Sequence, residues 1–179
     1  MTTQILWAGF GGQGALFAGQ FLANAGLIRG QQVSWLPSYG PEMRGGTANC
    51  SVILSDDAIG SPIVLQPDVL VCMNLPSFLR FGACVRPGGK LFVDSSLVEE
   101  RSSRADIAAY YIPAAQLASD EGMAGLANMI FVGKVIAATG LFDEETVTAA
   151  MHKAIHARKQ HLLEMNLRAV ELGRNYREG

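Results

Sequence analysis

Charged side chains are scarce in this 179-residue sequence, where Asp, Glu, Lys and Arg make up 17% of the residues. An average soluble domain has roughly 25%. With 49% hydrophobic residues, we expect apolar surface to remain exposed after the core is filled, which is typical of a subunit that docks on a partner. The net charge of -2 and the lack of any basic run longer than Arg158-Lys159 argue against a nucleic-acid partner.

Cysteine is also rare, and its spacing excludes the common metal and cluster motifs. Cys50, Cys72 and Cys84 form no Cys-x-x-Cys pair, and each lies in or beside an apolar run, so we expect buried free thiols. No apolar stretch approaches the roughly 20 residues of a membrane helix. The first residues also lack the regions of a signal peptide. The sequence therefore predicts a cytoplasmic protein that does not associate with a membrane.

Short apolar runs alternate with helical patterns along the chain. Strands are predicted at 4–8, 32–36, 47–55, 69–73, 90–93 and 109–112, and helices at 12–29, 75–85, 113–139 and 143–177. We find no repeat or linker, so residues 1–179 are predicted to form one domain. The predicted fold class is α/β: a mainly parallel twisted sheet with helices on both faces, Rossmann-like and three-layered, with a helical carboxyl third.

Three details of this fold can be predicted locally. Pro37 should end the second strand, and the first two strands with their helix should form a parallel βαβ unit. The strand at 47–55 alternates apolar and polar residues, which suits an antiparallel or edge position. The first helix has a face of small residues, so it should approach the sheet closely. The last helix, from Lys159 on, has an apolar stripe that suits either core packing or contact with a partner.

Residues 9–14, with the sequence GFGGQG, match the G-x-G-x-x-G pattern between a strand and a helix. Glycines allow a tight turn there, and the first amides of the helix could face an anion such as a phosphate. A dinucleotide fold also places an acidic residue at the end of the second strand, but Val33-Ser34-Trp35-Leu36 leads into Pro37. Close packing of strand and helix is the alternative explanation for the glycines.

The carboxyl ends of the predicted strands should meet at one crevice, where α/β proteins bind ligands. Arg44 is the only cation there, and it could clamp a phosphate or carboxylate or pair with Glu42 or a partner chain. Its replacement by alanine is expected to weaken assembly or ligand affinity. We predict cofactor binding or subunit docking at Gly9, Gly11, Gly12, Gln13, Gly14, Ser38, Tyr39, Gly40, Glu42, Arg44, Gly45, Gly46, Asn74, Ser77 and Asp94.

No catalytic residue and no metal site is predicted. Asp94, Ser95 and Ser96 lie far from every histidine in the sequence, which makes a catalytic triad improbable. His152 and His156 are four residues apart but have no evident third ligand, so a solvated helix face is the better interpretation. The chain alone does not look like a complete catalyst.

The GFGGQG sequence at 9–14, the loop PSYGPEMRGG at 37–46 and the sequence NLPS at 74–77 together resemble the gamma subunit of 2-oxoacid:ferredoxin oxidoreductases. The resemblance covers nearly the whole chain, including GSP at 60–62 and EMNLR at 164–168. It is strongest to the 2-oxoglutarate type within the pyruvate/ketoisovalerate oxidoreductase family. It implies a single gamma-type domain that acts as a non-catalytic subunit.

The resemblance further implies an enzyme complex that converts a 2-oxoacid and coenzyme A to acyl-CoA and CO2 while reducing ferredoxin, an iron–sulfur protein. In such complexes thiamine diphosphate and Mg2+ belong to the alpha and beta subunits, and iron–sulfur clusters to beta or a ferredoxin-like delta subunit. This chain would bind no cofactor firmly, and coenzyme A would pass near its loops. The alternative function is a stand-alone NAD(P)-binding protein that uses residues 9–14.

Overall fold

The computed structural model describes residues 1–38, 47–155 and 159–178, without the side chain of Thr47. The strands in these residues are β1 Thr2–Phe10, β2 Gln32–Ser38, β3 Thr47–Ser55, β4 Val69–Cys72, β5 Lys90–Asp94 and β6 Ala108–Ile112. The helices are α1 Ala15–Ile28, α2 Leu75–Phe81, α3 Ala114–Asp120, α4 Ala127–Thr139, α5 Glu144–Ala154 and α6 Gln160–Asn175. The α/β class and the helical carboxyl third are therefore confirmed.

The strands form one mixed sheet in the order β2-β3-β1-β4-β5-β6. β1, β4, β5 and β6 pair in parallel, as predicted. β3 is antiparallel to both β1 and β2, which confirms its antiparallel character. It lies between those strands, so it is not at the edge. β1 and β2 run in the same direction, as predicted for the βαβ unit, but β3 lies between them.

β2 continues through Pro37 to Ser38, so the prediction that Pro37 ends this strand was wrong. Proline lacks an amide hydrogen and is tolerated on an edge strand, where one side of the backbone needs no partner. β2 is such an edge, because β3 is its only partner among the strands of the described residues. Pro37 still lies opposite Cys50 in the pairing register.

The two faces of the sheet are covered unequally. One face packs against α1 and the helical carboxyl third and forms the larger core, which includes Trp7, Phe92 and Phe131. The other face carries a smaller core around Leu70 and Leu91, covered by α2 and the adjoining segments. Several large apolar side chains remain exposed, among them Leu65 and Leu79. The exposed apolar surface expected from the scarcity of charge is therefore present.

Close helix contacts explain the small residues of the larger core. A methyl group on Gly26 of α1 would lie 2.6 Å from Leu54 Cδ2 of β3, which confirms the predicted close approach of this helix to the sheet. A methyl group on Gly133 of α4 would overlap the Val170 carbonyl of α6, and one on Gly173 of α6 would overlap the Ile130 carbonyl of α4. The backbones of α4 and α6 therefore touch where the helices cross.

The predicted helical run at 113–139 consists of two helices, α3 and α4, joined by a turn that contains Gly122 and Gly125, both with positive φ. The run at 143–177 likewise contains α5 and α6. The apolar stripe of α6, including Leu163 and Val170, is buried. This confirms core packing as the role of the stripe. None of the helices within the described residues is long and apolar enough to cross a membrane.

Candidate functional site

The side chain of Gln13 folds back onto the glycine turn and forms three hydrogen bonds there. Its Oε1 accepts hydrogen bonds from the Phe10 amide at 2.6 Å and from Asn74 Nδ2 at 3.2 Å, and its Nε2 donates to the Met73 carbonyl at 3.1 Å. A methyl group on Gly9 would lie 2.9 Å from Gln13 Oε1, so glycine is required for this approach. The side chain therefore ties the end of β1 to the end of β4.

Asn74 joins this network to the start of α2. It is the N-cap of that helix, and its Oδ1 accepts a hydrogen bond from the Ser77 amide at 2.9 Å. Asn74 is buried, and Ser77 is fully buried with no hydrogen-bond partner for its Oγ. Gln13 and Asn74 thus form one connected group, while the Ser77 hydroxyl lies beneath the surface.

The network occupies the place where an open α/β sheet usually binds its ligand. The chain leaves β1 towards β2 on one side, and β4 lies on the other, so the ends of β1 and β4 form the topological switch point. Gln13 bridges these ends. β3 separates β1 from β2, so the end of β2, where a dinucleotide fold holds the ribose, is displaced by one strand. Both features disfavour the binding of a dinucleotide across the ends of β1 and β2.

Asp94 lies at the end of β5 but faces local partners. Its carboxylate accepts hydrogen bonds from the Ser96 amide and hydroxyl and from the Ala115 amide of α3, at 3.1, 2.6 and 3.0 Å. Only 1% of the residue is exposed. Burial raises the pKa of this carboxyl, and the hydrogen bonds from Ser96 and α3 partly offset that effect. This arrangement supports a structural role at the start of α3.

The remaining predicted site residues are placed less closely together. Gly11, Gly12 and Gly14 lie in the turn, and Gly12 and Gly14 have positive φ. Ser38 is exposed at the end of β2, two strands away from β1. The other predicted residues lie outside the part of the chain that the structure describes: Tyr39, Gly40, Glu42, Arg44, Gly45 and Gly46.

Asn128 contacts the glycine turn and was not among the predicted site residues. It lies in the first turn of α4, and its Nδ2 donates to the Gly14 carbonyl at 3.1 Å, so α4 touches the glycine turn. Its Oδ1 is buried without a partner. The sequence contained an indication of this role, because Asn128 is the only amide side chain in the largely apolar sequence of α4.

The prediction of buried free thiols is confirmed for Cys50 and Cys72 and was wrong about the burial of Cys84. Cys50 and Cys72 are buried, whereas Cys84 is only partly buried, and all three are free. Burial raises the pKa of Cys50 to about 12 and raises that of Cys72 as well. Residues 1–38, 47–155 and 159–178 contain no group of three His, Cys, Asp or Glu side chains that could hold a metal ion.

The geometry thus defines a mixed-sheet α/β domain whose glycine turn is filled by its own side chain. The family model described as pyruvate ferredoxin/flavodoxin oxidoreductase matches residues 4–176. The chain belongs to this family.

Curated relatives fall into two groups of different length. The 2-oxoglutarate synthase subunit KorC of Methanothermobacter marburgensis is 33% identical, and the match covers 97% of this chain and 96% of that protein. The ketoisovalerate oxidoreductase subunit VorA of Methanothermobacter thermautotrophicus is 43% identical over 93% of this chain. That match covers 34% of VorA, so the chain spans about a third of the length of this relative.

A solved structure has the same fold over its whole length. The gamma subunit of a keto/oxoacid ferredoxin oxidoreductase from Geobacter sulfurreducens superposes with a TM-score of 0.82 at 28% identity. The superposition covers 96% of each chain. The mixed sheet and the helical carboxyl third are therefore features of a known gamma-subunit fold.

Proposed function

We propose that this chain is the gamma subunit of a thiamine diphosphate-dependent 2-oxoacid:ferredoxin oxidoreductase. The complex would convert a 2-oxoacid, coenzyme A and oxidised ferredoxin to acyl-CoA, CO2 and reduced ferredoxin. The observation that carries the proposal is the end-to-end likeness to a gamma subunit, over 96% of both chains. The closed glycine turn supports it, because Gln13 leaves this chain without an ordinary dinucleotide cleft.

We favour 2-oxoglutarate as the substrate of the complex. KorC of M. marburgensis has nearly the same extent as this chain, since 96% of its length is covered. The higher identity of 43% to VorA makes 2-oxoisovalerate the second candidate, although that relative is about three times as long. The substrate pocket itself would be formed by other subunits.

The cofactors would belong to the partner chains. Thiamine diphosphate with Mg2+ would sit in the alpha and beta subunits and carry the carbon chemistry when bound. The iron–sulfur clusters would lie in beta or in a ferredoxin-like delta subunit. In this chain the raised thiol pKa values of Cys50 and Cys72 make both residues poor cluster ligands, because cluster ligation requires thiolates. Coenzyme A would pass near the loops of this chain.

Co-purification from the native host tests this function. A tagged chain is expected to recover alpha and beta partners, and the complex should reduce ferredoxin or a viologen dye only when a 2-oxoacid and coenzyme A are both present. Comparing 2-oxoglutarate with 2-oxoisovalerate and pyruvate identifies the substrate. Recovery of a lone chain without this activity would refute the proposal.

The alternative, a stand-alone NAD(P)-binding protein, makes an opposite prediction. Saturable binding of NAD or NADP by the isolated chain would favour it, whereas the gamma-subunit proposal expects none. Calorimetric titration of the 179-residue chain distinguishes the two functions directly.

A further inference from the structure

β6 lies at one edge of the sheet and carries no protection in its own sequence. β5 is its only partner among the strands of the described residues. Its sequence, AAYYI, includes no charged residue, proline or glycine. An edge strand of this kind can pair with a strand of another molecule, because its outer backbone groups have no partner within the sheet. A chain with such a strand is therefore expected to cover it.

The strand register shows which backbone groups of β6 point outwards. The Ala108 amide donates to the Gly89 carbonyl at 3.0 Å, on the side of β5. In a parallel pair, alternate residues of a strand bond to the same neighbour. The amides of Ala109 and Tyr111 therefore face away from β5, at the outer edge of the sheet.

Glu178, which follows the end of α6, lies on this outer edge. Its Oε2 accepts a hydrogen bond from the Tyr111 amide at 3.5 Å, and its Oε1 lies 3.0 Å from Nη1 of Arg101. The guanidinium carbon of Arg101 lies 3.8 Å from the centre of the Tyr111 ring. The carboxylate thus occupies the position that a carbonyl group of an added strand would need.

Tyr176 fixes the start of the same segment. Its φ of -59° and ψ of 131° are not helical, so α6 ends before it. Its carbonyl accepts a hydrogen bond from Lys134 Nζ at 2.8 Å, and its side chain packs against the larger core. Lys134 Nζ also lies 5.6 Å from the ring centre of Tyr110 in β6. The segment is therefore held at two points, by Lys134 of α4 and at the outer edge of β6.

We propose that residues 176–178 form a strap over the outer edge of β6, and that this carboxyl strap prevents β6 from pairing with β6 of a second copy of the chain. A second copy is the occupant that the strand fits, because two antiparallel copies of AAYYI related by a two-fold axis place no like charges opposite each other. The ion pair of Glu178 with Arg101 is exposed, and exposed ion pairs are weak, so the strap can open and close. This inference does not depend on the proposed function.

Hydrogen exchange of the Tyr111 amide, followed by NMR, tests whether the strap covers the edge. Glu178→Ala removes the acceptor, so this amide should exchange about tenfold faster than in the wild type when both chains are dilute. Glu171→Ala, which removes an exposed carboxylate from α6, is the control and should leave the rate within about twofold. Equal rates for the wild type and Glu178→Ala would overturn the inference.

Sedimentation equilibrium tests what the strap prevents. A chain that ends at Tyr176 keeps the carbonyl that binds Lys134 but lacks Glu178. It should form dimers about tenfold more tightly than the 179-residue chain. Adding Ala109→Pro to the shortened chain should abolish this gain, because proline removes an outward amide and leaves the hydrogen bonds to β5 in place.

Two outcomes of the sedimentation experiment would contradict the proposal. An unchanged dimer affinity of the shortened chain would show that the strap blocks nothing. A gain in affinity that survives Ala109→Pro would place the contact on a surface other than β6. The amide exchange and the affinity of the shortened chain carry the test if Ala109→Pro fails to fold.

Discussion

Gln13 connects two segments that lie far apart in the sequence, the turn after β1 and the end of β4. Its replacement by alanine leaves the Phe10 amide and the Met73 carbonyl without their partner. We therefore expect Gln13→Ala to lower the free energy of unfolding by about 1–3 kcal/mol in a urea titration. Gln116→Ala, which removes an exposed amide on α3, is the matched control and should cost less than about 0.5 kcal/mol. Equal effects would show that the bridge contributes no stability.

Asp94 provides a prediction about pH. Its pKa is raised in the folded chain because the carboxyl is buried, so the folded state holds this proton more tightly than the unfolded state. Its favourable contribution is complete below the usual value near 3.9 and is lost as the pH rises through the raised pKa. Unfolding by urea at a series of pH values should therefore show the wild type losing stability relative to Asp94→Asn as the pH rises through this range.

Asp106 is a control, because its pKa is shifted in the opposite direction from that of Asp94. Hydrogen bonding to the guanidinium of Arg104 lowers the pKa of this exposed carboxyl. Its contribution is present above the usual pKa and is lost as the pH falls, so the wild type should lose stability relative to Asp106→Asn on acidification. If the stability of the wild type relative to Asp94→Asn and relative to Asp106→Asn changed with pH in the same direction, the raised pKa of Asp94 would be contradicted.

At the scale of elements, the crossing of α4 and α6 depends on two glycines. A methyl group at Gly133 would overlap the backbone of α6, and backbone cannot move aside as a flexible side chain can. We expect Gly133→Ala to lower the free energy of unfolding by about 3 kcal/mol or more. Gly60→Ala is the control, because nothing lies within 4 Å of the added methyl group. Similar midpoints in thermal unfolding for both variants would show that the helices can separate without cost.

The sequence pattern predicted most strands and helices but not which strands lie next to each other in the sheet. Alternation at 47–55 correctly indicated a strand, because side chains of a strand alternate between two faces. The strand is more than half buried, since Ile53 and Ser55 on the second face are buried as well. Alternation carries no information about which strands lie on either side, so the insertion of β3 between β1 and β2 was missed. Pro37 was misread for the same reason, since its effect depends on whether its strand lies at an edge.

The candidate site was predicted in part. The strand, glycine turn and helix at 2–28 were evident from glycine spacing, and Asn74 at the start of α2 was among the predicted site residues. The pattern could not show that Gln13 turns inward, because G-x-G-x-x-G leaves that position unspecified. Contacts between distant segments, such as that of Asn128 with the glycine turn, are set by packing of the whole chain.

At the scale of the whole molecule, the reactivity of the thiols measures whether the sheet opens. Cys50 in β3 and Cys72 in β4 are buried with raised pKa values, whereas Cys84 is only partly buried. In the native chain we expect an aromatic disulfide reagent to modify Cys84 first, since the thiolate is the reacting form and must be accessible. The other two should react only in denaturant, with the same midpoint as the loss of helix. Rapid reaction of three thiols without denaturant would mean that the sheet opens locally.

The position of β3 also has a consequence for the order in which the chain can fold. Among the described residues, β2 joins the sheet through β3, and the paired residues of these two strands lie 11 to 23 positions apart in the sequence. Paired residues of β4, β5 and β6 lie 18 to 21 positions apart, whereas those of β1 and β3 lie 37 to 53 positions apart. Because closing a longer loop costs more entropy, the β2–β3 pair and the β4–β5–β6 group can form before β1 joins them. Pulse labelling of amide hydrogens during refolding should therefore protect β2, β5 and β6 no later than β1.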